Sequence, residues 1–600
     1  MPRRPEASVG PNVPIGTRTT APHGFGNDLW PYLGKPITWW AEPVSTEMLA
    51  PGAMTRSLAP GRRWAVLAVL CVSLLIVSLD NTILNIALPT LVRVLHATDS
   101  QLQWIVDIYA CTFAGLLLVA GSVGDRIGRK KVFCAGLAIF AAGSAGSAFS
   151  TSVSSLVATR AVMGLGAACI MPSTLSIITD VFRDAQDQAR AIGIWSATTG
   201  LGIAIGPIAG GWLLAHYWWG SVFLVNVPVA MLGLVMALWL VPDSADPQHR
   251  TIDLFGAVLS TSGLALLLWA IIEAPVRGWH SLLVVGSGAG AVVILVGFVV
   301  WERRSSHPLL VLEPFGNRRF SVAMVAIALA VFGLMGALFV LTQYLQFSLG
   351  FSALDAGIRI LPIAAVLAIA AVSSTYLDRW LGTKAVVAAG LLIVAAGFWQ
   401  LTTTTTAQGF GHALLGMVLL GLGAGLIIAP ATASVMGSLP RDRAGVGSAI
   451  NGTALQVGGA LGVAVVGSVL AARYQGMMTL TLAGHAVPPV ARQAILGSIG
   501  GALTVARIAG GSLGSALTTA ARHAFVEGMD LALLVGVVVV SASAALVAIA
   551  LPSRRHGEGG EDDNLEERPD IVAGQPQENS RDMVDAQVIP MDQSRTGSGR

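Results

Sequence analysis

Apolar residues run in blocks of about twenty along most of the chain, with charged and turn-forming residues gathered in the short gaps between them. A bilayer hydrocarbon core of about 30 Å needs about 20 apolar residues in a helix, because backbone groups in lipid must be satisfied within the segment. Fourteen stretches meet that condition: 64–86, 102–121, 132–150, 153–178, 190–214, 221–241, 253–274, 281–301, 320–347, 354–376, 384–401, 411–437, 446–470 and 527–551. The pattern predicts an all-α polytopic membrane protein.

Charge fixes an orientation for those spans. With the N-terminus placed inside, nineteen Lys and Arg residues flank the inner ends, from Arg62, Arg63, Lys130 and Lys131 through to Arg554 and Arg555. Only Arg93, Arg277, Arg473, Arg492, Arg507 and Arg522 fall on outer connections. Inner loops carry the excess of Lys and Arg, so both termini are expected in the cytoplasm. The apolar, Gly-rich stretch within 471–526 is expected to be a long external loop with amphipathic helical pieces. A fifteenth span there would bury Arg507 and move Arg554 and Arg555 outside.

Composition agrees: the 600 residues are 54% hydrophobic and 12% charged, with mean hydropathy +0.70, where a soluble domain carries about 25% charged residues. Scarce lysine beside abundant Arg, Ala, Gly and Val points to a bacterial source. Residues 1–61 hold no sustained apolar run, so a disordered extension without a cleavable signal peptide is expected, and translation starts near Met48 or Met54 are candidates. The acidic segment 552–600 reads as a solvated tail. Cys71, Cys111, Cys134 and Cys169 lie singly in apolar runs and the histidines are scattered, which argues against disulfides and metal sites.

Two halves resemble each other. GLGAACIMP at 164–172 is echoed by GLGAGLIIAP at 421–430, and GDRIGRKK at 124–131 has a fainter relative in LDRWLGTK at 377–384. Repeated halves are common in transporters, with the substrate site between them near the midplane. The expected layout is a six-helix bundle over 62–241, an inserted helix pair over 242–319, and a second six-helix bundle over 320–551.

Further motifs carry a family resemblance. GSVGDRIGRKK at 121–131, LDNTILNIALP at 79–89, RAVMGLGAA at 160–168 and GLGIAIGPIAGG at 200–211 are similar to the loop and helix signatures of the major facilitator superfamily. FLVNVP at 223–228, LFVLTQYLQFSLGFSALDAGIRILP at 338–362 and GVGSAINGTALQVGGALG at 445–462 resemble its 14-span drug:proton antiporter branch. The resemblance covers about 64–551 and implies the major facilitator fold in a 6+2+6 arrangement. It also implies export of drugs or antibiotics across the cell membrane in exchange for protons. One departure is Met163, where the family pattern often has Gln.

An ionisable group inside a membrane is a functional candidate by default. Asp80, in the first span, is a candidate proton carrier; its bland alternatives are a carboxylate at the outer interface or a static hydrogen-bonded pair. Asp107, read as opening the second span, is a second carrier, an anchor for a cationic substrate, or an acid favoured by a helix N-terminus. Arg160 cannot lose its charge and must find a carboxylate, carbonyls or water; the resemblance makes it a coupling residue. Gly121, Asp125, Arg126, Gly128 and Arg129 form a short basic loop, topological charge on the plain reading and an ion-pair latch on the family's. Gly202, Gly206, Gly210 and Gly211 allow close helix approach and Pro207 removes a backbone bond; this pattern resembles the antiporter signature. Asn85, Asn226, Gln343, Tyr344, Gln346, Asn451 and Gln456 are the candidates for the substrate cavity. Asp253 and Glu273 of the inserted pair read as scaffold.

Competing functions are weighed on the same residues. Gly510-Gly511-Ser512-Leu513-Gly514 fits GxSxG formally, but a nucleophile elbow needs a strand–turn–helix setting. No phosphate-binding loop of the GxxxxGK[ST] type occurs, which disfavours ATP-driven transport. Proton-linked uptake of a nutrient keeps the fold and reverses the task. The expected partners are a small-molecule substrate, protons and the lipid bilayer around a monomer, with no nucleic acid, cofactor or metal.

Overall fold

The computed structural model describes residues 60–243, 253–305, 308–405, 409–438 and 444–551, and every one of these segments is built from helices and their connections. Expectations for the terminal extension and the acidic tail lie outside the described residues. The first half comprises α1 (Pro60–Leu95), α2 (Asp99–Ile127), α3 (Arg129–Ala148), α4 (Val153–Val181), α5 (Ala185–His216), α6 (Ser221–Leu224) and α7 (Asn226–Leu240). The inserted pair is α8 (Leu254–Arg277) and α9 (Leu282–Arg304). The second half comprises α10 (Arg318–Gln343), α11 (Ala353–Leu401), α12 (Phe410–Gly437), α13 (Ala444–Thr481), α14 (Pro489–Gly497), α15 (Ile499–Ala509) and α16 (Gly511–Ala550).

Local sequence sets the starts. Thr98 and Gln101 form a capping box on α2, Ser152 and Ser155 do so on α4, and Asp184, Ser281, Asn317 and Ser352 cap α5, α9, α10 and α11. Each cap satisfies amide groups that the first helical turn leaves without partners. Asp253 caps α8 and also accepts from Trp301 Nε1 at 2.7 Å, tying the two inserted helices together, while Glu273 pairs with Arg277 at 2.9 Å.

Among the described residues thirteen helices are long and apolar enough to cross a membrane. One of them, α11, runs 49 residues where the hydropathy pattern predicts two spans. It is broken at Gly382, whose φ of 77° and ψ of 152° are not helical, so it is two arms joined at a glycine. Gly128, between α2 and α3, has φ 113° and ψ 124°. The faint sequence echo between 124–131 and 377–384 therefore marks the same left-handed break in both halves, a backbone region that favours glycine.

The stretch 471–526 holds the short helical pieces expected of it and no further span, but is more helical than a loop. Helix α13 continues to Thr481, α14 and α15 follow, and α16 already begins at Gly511. At 1.5 Å per residue, the 38 and 40 residues of α13 and α16 are about 57 and 60 Å long, well past a 30 Å core. Arg473 and Glu527, 3.6 Å apart, join the two helices beyond the length of one crossing.

Packing repeats as the sequence does. In the first half α1 lies on α5, and α3 on α4; in the second, α10 lies on α13, and the arms of α11 on α12. The halves meet through α2 with α13 and α5 with α11, and α8 sits against both α2 and α13.

Candidate functional site

Four helices of the first half converge on Asp80. The carboxylate is 0% exposed and forms an ion pair with Arg160, itself 1% exposed. Arg160 also donates from Nε to the Ile105 carbonyl at 3.2 Å, and its guanidinium lies 4.2 Å from the centre of the Tyr109 ring. Asn226, on α7, donates to Asp80 Oδ1 at 3.2 Å and to Ser144 Oγ at 3.2 Å; Ser144 in turn donates to the Phe223 carbonyl at 2.7 Å. Met163, the family departure, fills the place beside the arginine: Ser147 Oγ reaches its sulfur at 3.4 Å and Arg160 at 3.9 Å. A buried ion pair is tolerable only when its own hydrogen-bonding capacity is met, and Ile105 and Asn226 add to the pair in that way, while Tyr109 Oη and Asn226 Oδ1 of the surrounding network have no partner.

The opposite face of α1 packs on α5. A Cβ on Gly202 would sit 2.6 Å from Ser78 Cβ, one on Gly210 would sit 2.7 Å from Ile83 Cγ1, and Gly206 is pressed against the Thr82 hydroxyl. Only hydrogen at these positions lets the backbones approach so closely. Gly211 faces elsewhere, against Ala353 and Leu354 at the start of α11, and Gly357 meets the Pro207 carbonyl.

A narrow, mostly apolar cavity lies between the halves, walled by Thr82, Asn85 and Ile86 of α1, Ile203 and Pro207 of α5, Leu338 and Thr342 of α10, and Ile360 and Ala364 of α11. Asn85 Oδ1 is a buried polar atom there with no partner. Of the seven cavity candidates, Asn85 alone is in this wall. Asn226 holds Asp80 instead. Gln343 bonds its own helix at Phe339, and Tyr344 donates to the Thr405 carbonyl at 3.0 Å. Gln346 crosses the halves to the Ile86 carbonyl at 3.0 Å. Asn451 and Gln456 are half-buried on α13. Tyr344 to Ser348 form a π-helical turn ending α10, an irregularity frequent at functional sites.

In the loop after α2, Arg129 is the hub. Its Nε meets Asp125 at 2.9 Å and its Nη1 meets Asp180 of α4 at 2.5 Å and the Ser176 carbonyl at 3.4 Å. Asp180 was not singled out from the sequence; nothing in TDVFRDAQ at 179–186 distinguishes it from solvated loop charge. Arg126 is exposed and, among the described residues, makes no ion pair. Gly121 has only ordinary room beside Pro172.

Asp107 is not part of the Asp80 cluster. Helix α2 begins at Asp99, so Asp107 is two turns inside it and fully buried, and neither carboxyl oxygen has a partner. Asp107 lies one four-residue step from Gln103 and from Cys111, which meet Gly467 of α13 and the Thr261 carbonyl of α8. Among the described residues no group of three or more His, Cys, Asp or Glu side chains is placed to hold a metal.

Comparison with known proteins places this geometry. The sequence profile of the Major Facilitator Superfamily matches residues 70–463. The chain is 35% identical over 501 residues to the multidrug efflux pump LfrA of Mycolicibacterium smegmatis, covering 83% of this chain and 98% of that protein. It is 35% identical over 497 residues to the tetracenomycin C resistance and export protein of Streptomyces glaucescens, covering 82% and 91%. Among solved structures, a bacterial homologue of the human lysosomal transporter Spinster, inward-facing and unoccupied, aligns with TM-score 0.59 and 19% identity over 82% of this chain and 98% of that one.

Proposed function

The chain belongs to the major facilitator superfamily, and from that membership we propose that it is a proton-coupled exporter of drugs or antibiotics, with Asp80 and Arg160 as its coupling pair. It is a multi-pass membrane protein and not an enzyme; its relatives include a multidrug efflux pump and a resistance and export protein. The GxSxG match lies at the helical junction Gly510–Gly514, with no strand beside it.

Counting the two arms of α11 separately gives fourteen spans, an even number that supports termini on one side, with the basic loops inside and the membrane a bacterial plasma membrane. The same count supports six-helix bundles on either side of the inserted α8–α9 pair. The cavity between α1, α5, α10 and α11 is the proposed substrate site, with Asn85 as its polar contact. Hydrogen bonds joining the halves cluster toward the outer ends: Gln346 to Ile86 and Ser468 to Gln103. The α5–α11 glycine contacts close the same end, which favours an inward-facing arrangement.

The observation that carries the coupling is the Asp80–Arg160 pair. Alternating access would expose Asp80 to each side in turn, and a proton on Asp80 releases Arg160 and Asn226. Antiport requires proton and substrate to disfavour each other, and the membrane potential adds about 2.3 kcal/mol per charge per 100 mV. The Arg129–Asp125–Asp180 cluster supports a latch holding α2, α3 and α4 together. The glycine face of α5 supports a sealed, movable contact with α1.

The test is ethidium transport in liposomes with an imposed pH gradient. Wild type should transport with the gradient, and folded Asp80→Asn protein should not. Transport that ignores the gradient, or survives in Asp80→Asn, would overturn the assignment.

A further inference from the structure

A second buried polar face on α2 is unused by the Asp80 site. Asp99, Gln103, Asp107 and Cys111 follow at four-residue steps, which puts them on one side of the helix, and all four are buried. Helices α13 and α8 close over that side. Ser468 of α13 is within hydrogen-bond reach of Gln103 Oε1 at 3.1 Å and of the Ile271 carbonyl of α8 at 2.8 Å. Ser100 donates to the Ile272 carbonyl at 3.4 Å. A Cβ on Gly467 would lie 2.8 Å from the Gln103 amide carbon, so α13 passes at backbone distance.

Buried polar atoms ordinarily have partners. Along this seam Asp99 Oδ1, Gln103 Nε2, both oxygens of Asp107 and Thr261 Oγ1 have none. Unpaired atoms occur singly elsewhere, Tyr109 Oη and Asn226 Oδ1 among them, but among the described residues Asp107 alone has both carboxyl oxygens buried without a partner. An acid in the first turn of a helix ordinarily faces water as a partner of the helix dipole; Asp99 is 2% exposed. It lies under the outer helical cap, where Gly497 of α14 packs on Thr98 and Tyr474 of α13 donates to the Ile495 carbonyl at 2.9 Å. The titratable groups facing the seam are Tyr474, near Asp99, and Cys111, near Asp107. Among the described residues no charged side chain acts on either acid.

We propose that the α2–α8–α13 seam is a proton route from the outer face to Asp107, with Asp99 as its entrance and the inserted helix α8 as the wall that shuts it from lipid. Each step of four residues is about 6 Å, a gap one water molecule spans. A proton taken by the Asp99 carboxylate passes along water ordered by the Gln103 amide to the Asp107 carboxylate; Asp99 is left ionised, and Asp107 becomes a carboxylate again by giving that proton up toward the inner side in the alternate state, so one proton moves per cycle. The proposal rests on proton coupling as assigned above and extends it: it separates the acid that admits the proton from the pair that couples it, and it gives the inserted helices a task.

Two readouts in proteoliposomes test it with Asp99→Asn and Gln103→Leu. One is ethidium accumulation driven by a pH gradient; the other is ethidium counterflow at equal pH, which needs alternating access but no net proton supply. Asp99→Asn should slow gradient-driven transport about tenfold or more and leave counterflow unchanged, with Asp99→Glu restoring the rate. Gln103→Leu should act in the same direction. Equal loss in both readouts would make the seam structural, and no loss in either would remove Asp99 from the path; both outcomes overturn the route while wild-type coupling stands. Wild-type transport indifferent to the gradient would instead remove the coupling assignment, and the route with it.

Discussion

Substituting Asp80→Asn keeps the side-chain shape and removes its charge, leaving the Arg160 guanidinium buried opposite an amide. Breaking a buried pair from one side costs about 3–5 kcal/mol, because the surviving charge stays in apolar surroundings. Arg160→Met leaves the Asp80 carboxylate with Asn226 as its remaining hydrogen-bond donor and should cost a similar amount. The double variant removes both charges at nearly constant volume. Such replacements are often neutral in stability, so two single losses of about 3–5 kcal/mol each would give an interaction energy of about 6–10 kcal/mol for the cycle. Unfolding of the four proteins in one detergent measures that term, and gradient-driven ethidium transport measures function alongside it. Both single variants should melt early, the double should recover most of the loss, and none should transport against a gradient. Additive losses, or single variants as stable as wild type, would refute a coupled buried pair at this position.

Gly206→Ala places a methyl against the Thr82 hydroxyl and should destabilise by about 1–3 kcal/mol while slowing transport; adding Thr82→Ala should restore part of both, as melting and uptake of the pair would show. Asp180→Asn breaks a partly exposed contact of Arg129, so stability should change by less than about 1 kcal/mol. Its transport rate should fall all the same, and a rate equal to wild type would leave the cluster purely topological. A single cysteine at Thr383→Cys, beside the Gly382 break, should react with an impermeant maleimide from the inner side only; reaction from the outer side, or none in permeabilised cells, would contradict two separate spans. Gly128→Ala forces a side chain into left-handed backbone and should cost about 1–2 kcal/mol in the same melting assay.

Most of the helical framework is legible in the chain because a bilayer imposes a length on every crossing segment, and apolar runs such as 221–241 and 320–347 meet it cleanly. That same rule misplaces the ends of α13 and α16, since nothing in a hydropathy count stops or starts a helix at the limits of one crossing; the glycines and charges of 471–481 and 511–526 resemble loop. At 377–384 the sequence gives both a polar gap and a weak repeat, and the structure keeps the chain helical across the gap except at Gly382. Site residues divide along similar lines. Asp80 and Arg160 stand out because charge within an apolar run has few explanations, whereas Asn226 is one amide among several until α7 brings it to the Asp80 carboxylate. Met163 could not be interpreted from sequence: a thioether replaces an amide, and only the surrounding hydroxyl of Ser147 and the guanidinium show that it still fills a polar position as a weak acceptor.

The coupling proposed above would have a geometric basis in α1 itself. Asp80 faces α4 and α7, while Thr82, Asn85 and Ile86, within the next two turns, face the cavity and α5. A cargo that pushes on the cavity wall and a proton that discharges Asp80 therefore act on opposite sides of one short helical segment. The segment cannot yield locally: Ser78, Thr82 and Ile83 are locked at backbone distance to the α5 glycines, and packed interiors respond by shifting as units rather than by deforming. Filling the cavity and releasing Arg160 thus compete for the position of the same pair of helices. On these grounds proton and substrate can exclude each other without ever touching a common residue, and Asn85→Ala should weaken ethidium binding while leaving the Asp80–Arg160 interaction energy unchanged. A fall in that interaction energy in the Asn85→Ala background would show instead that the two faces of α1 share one site.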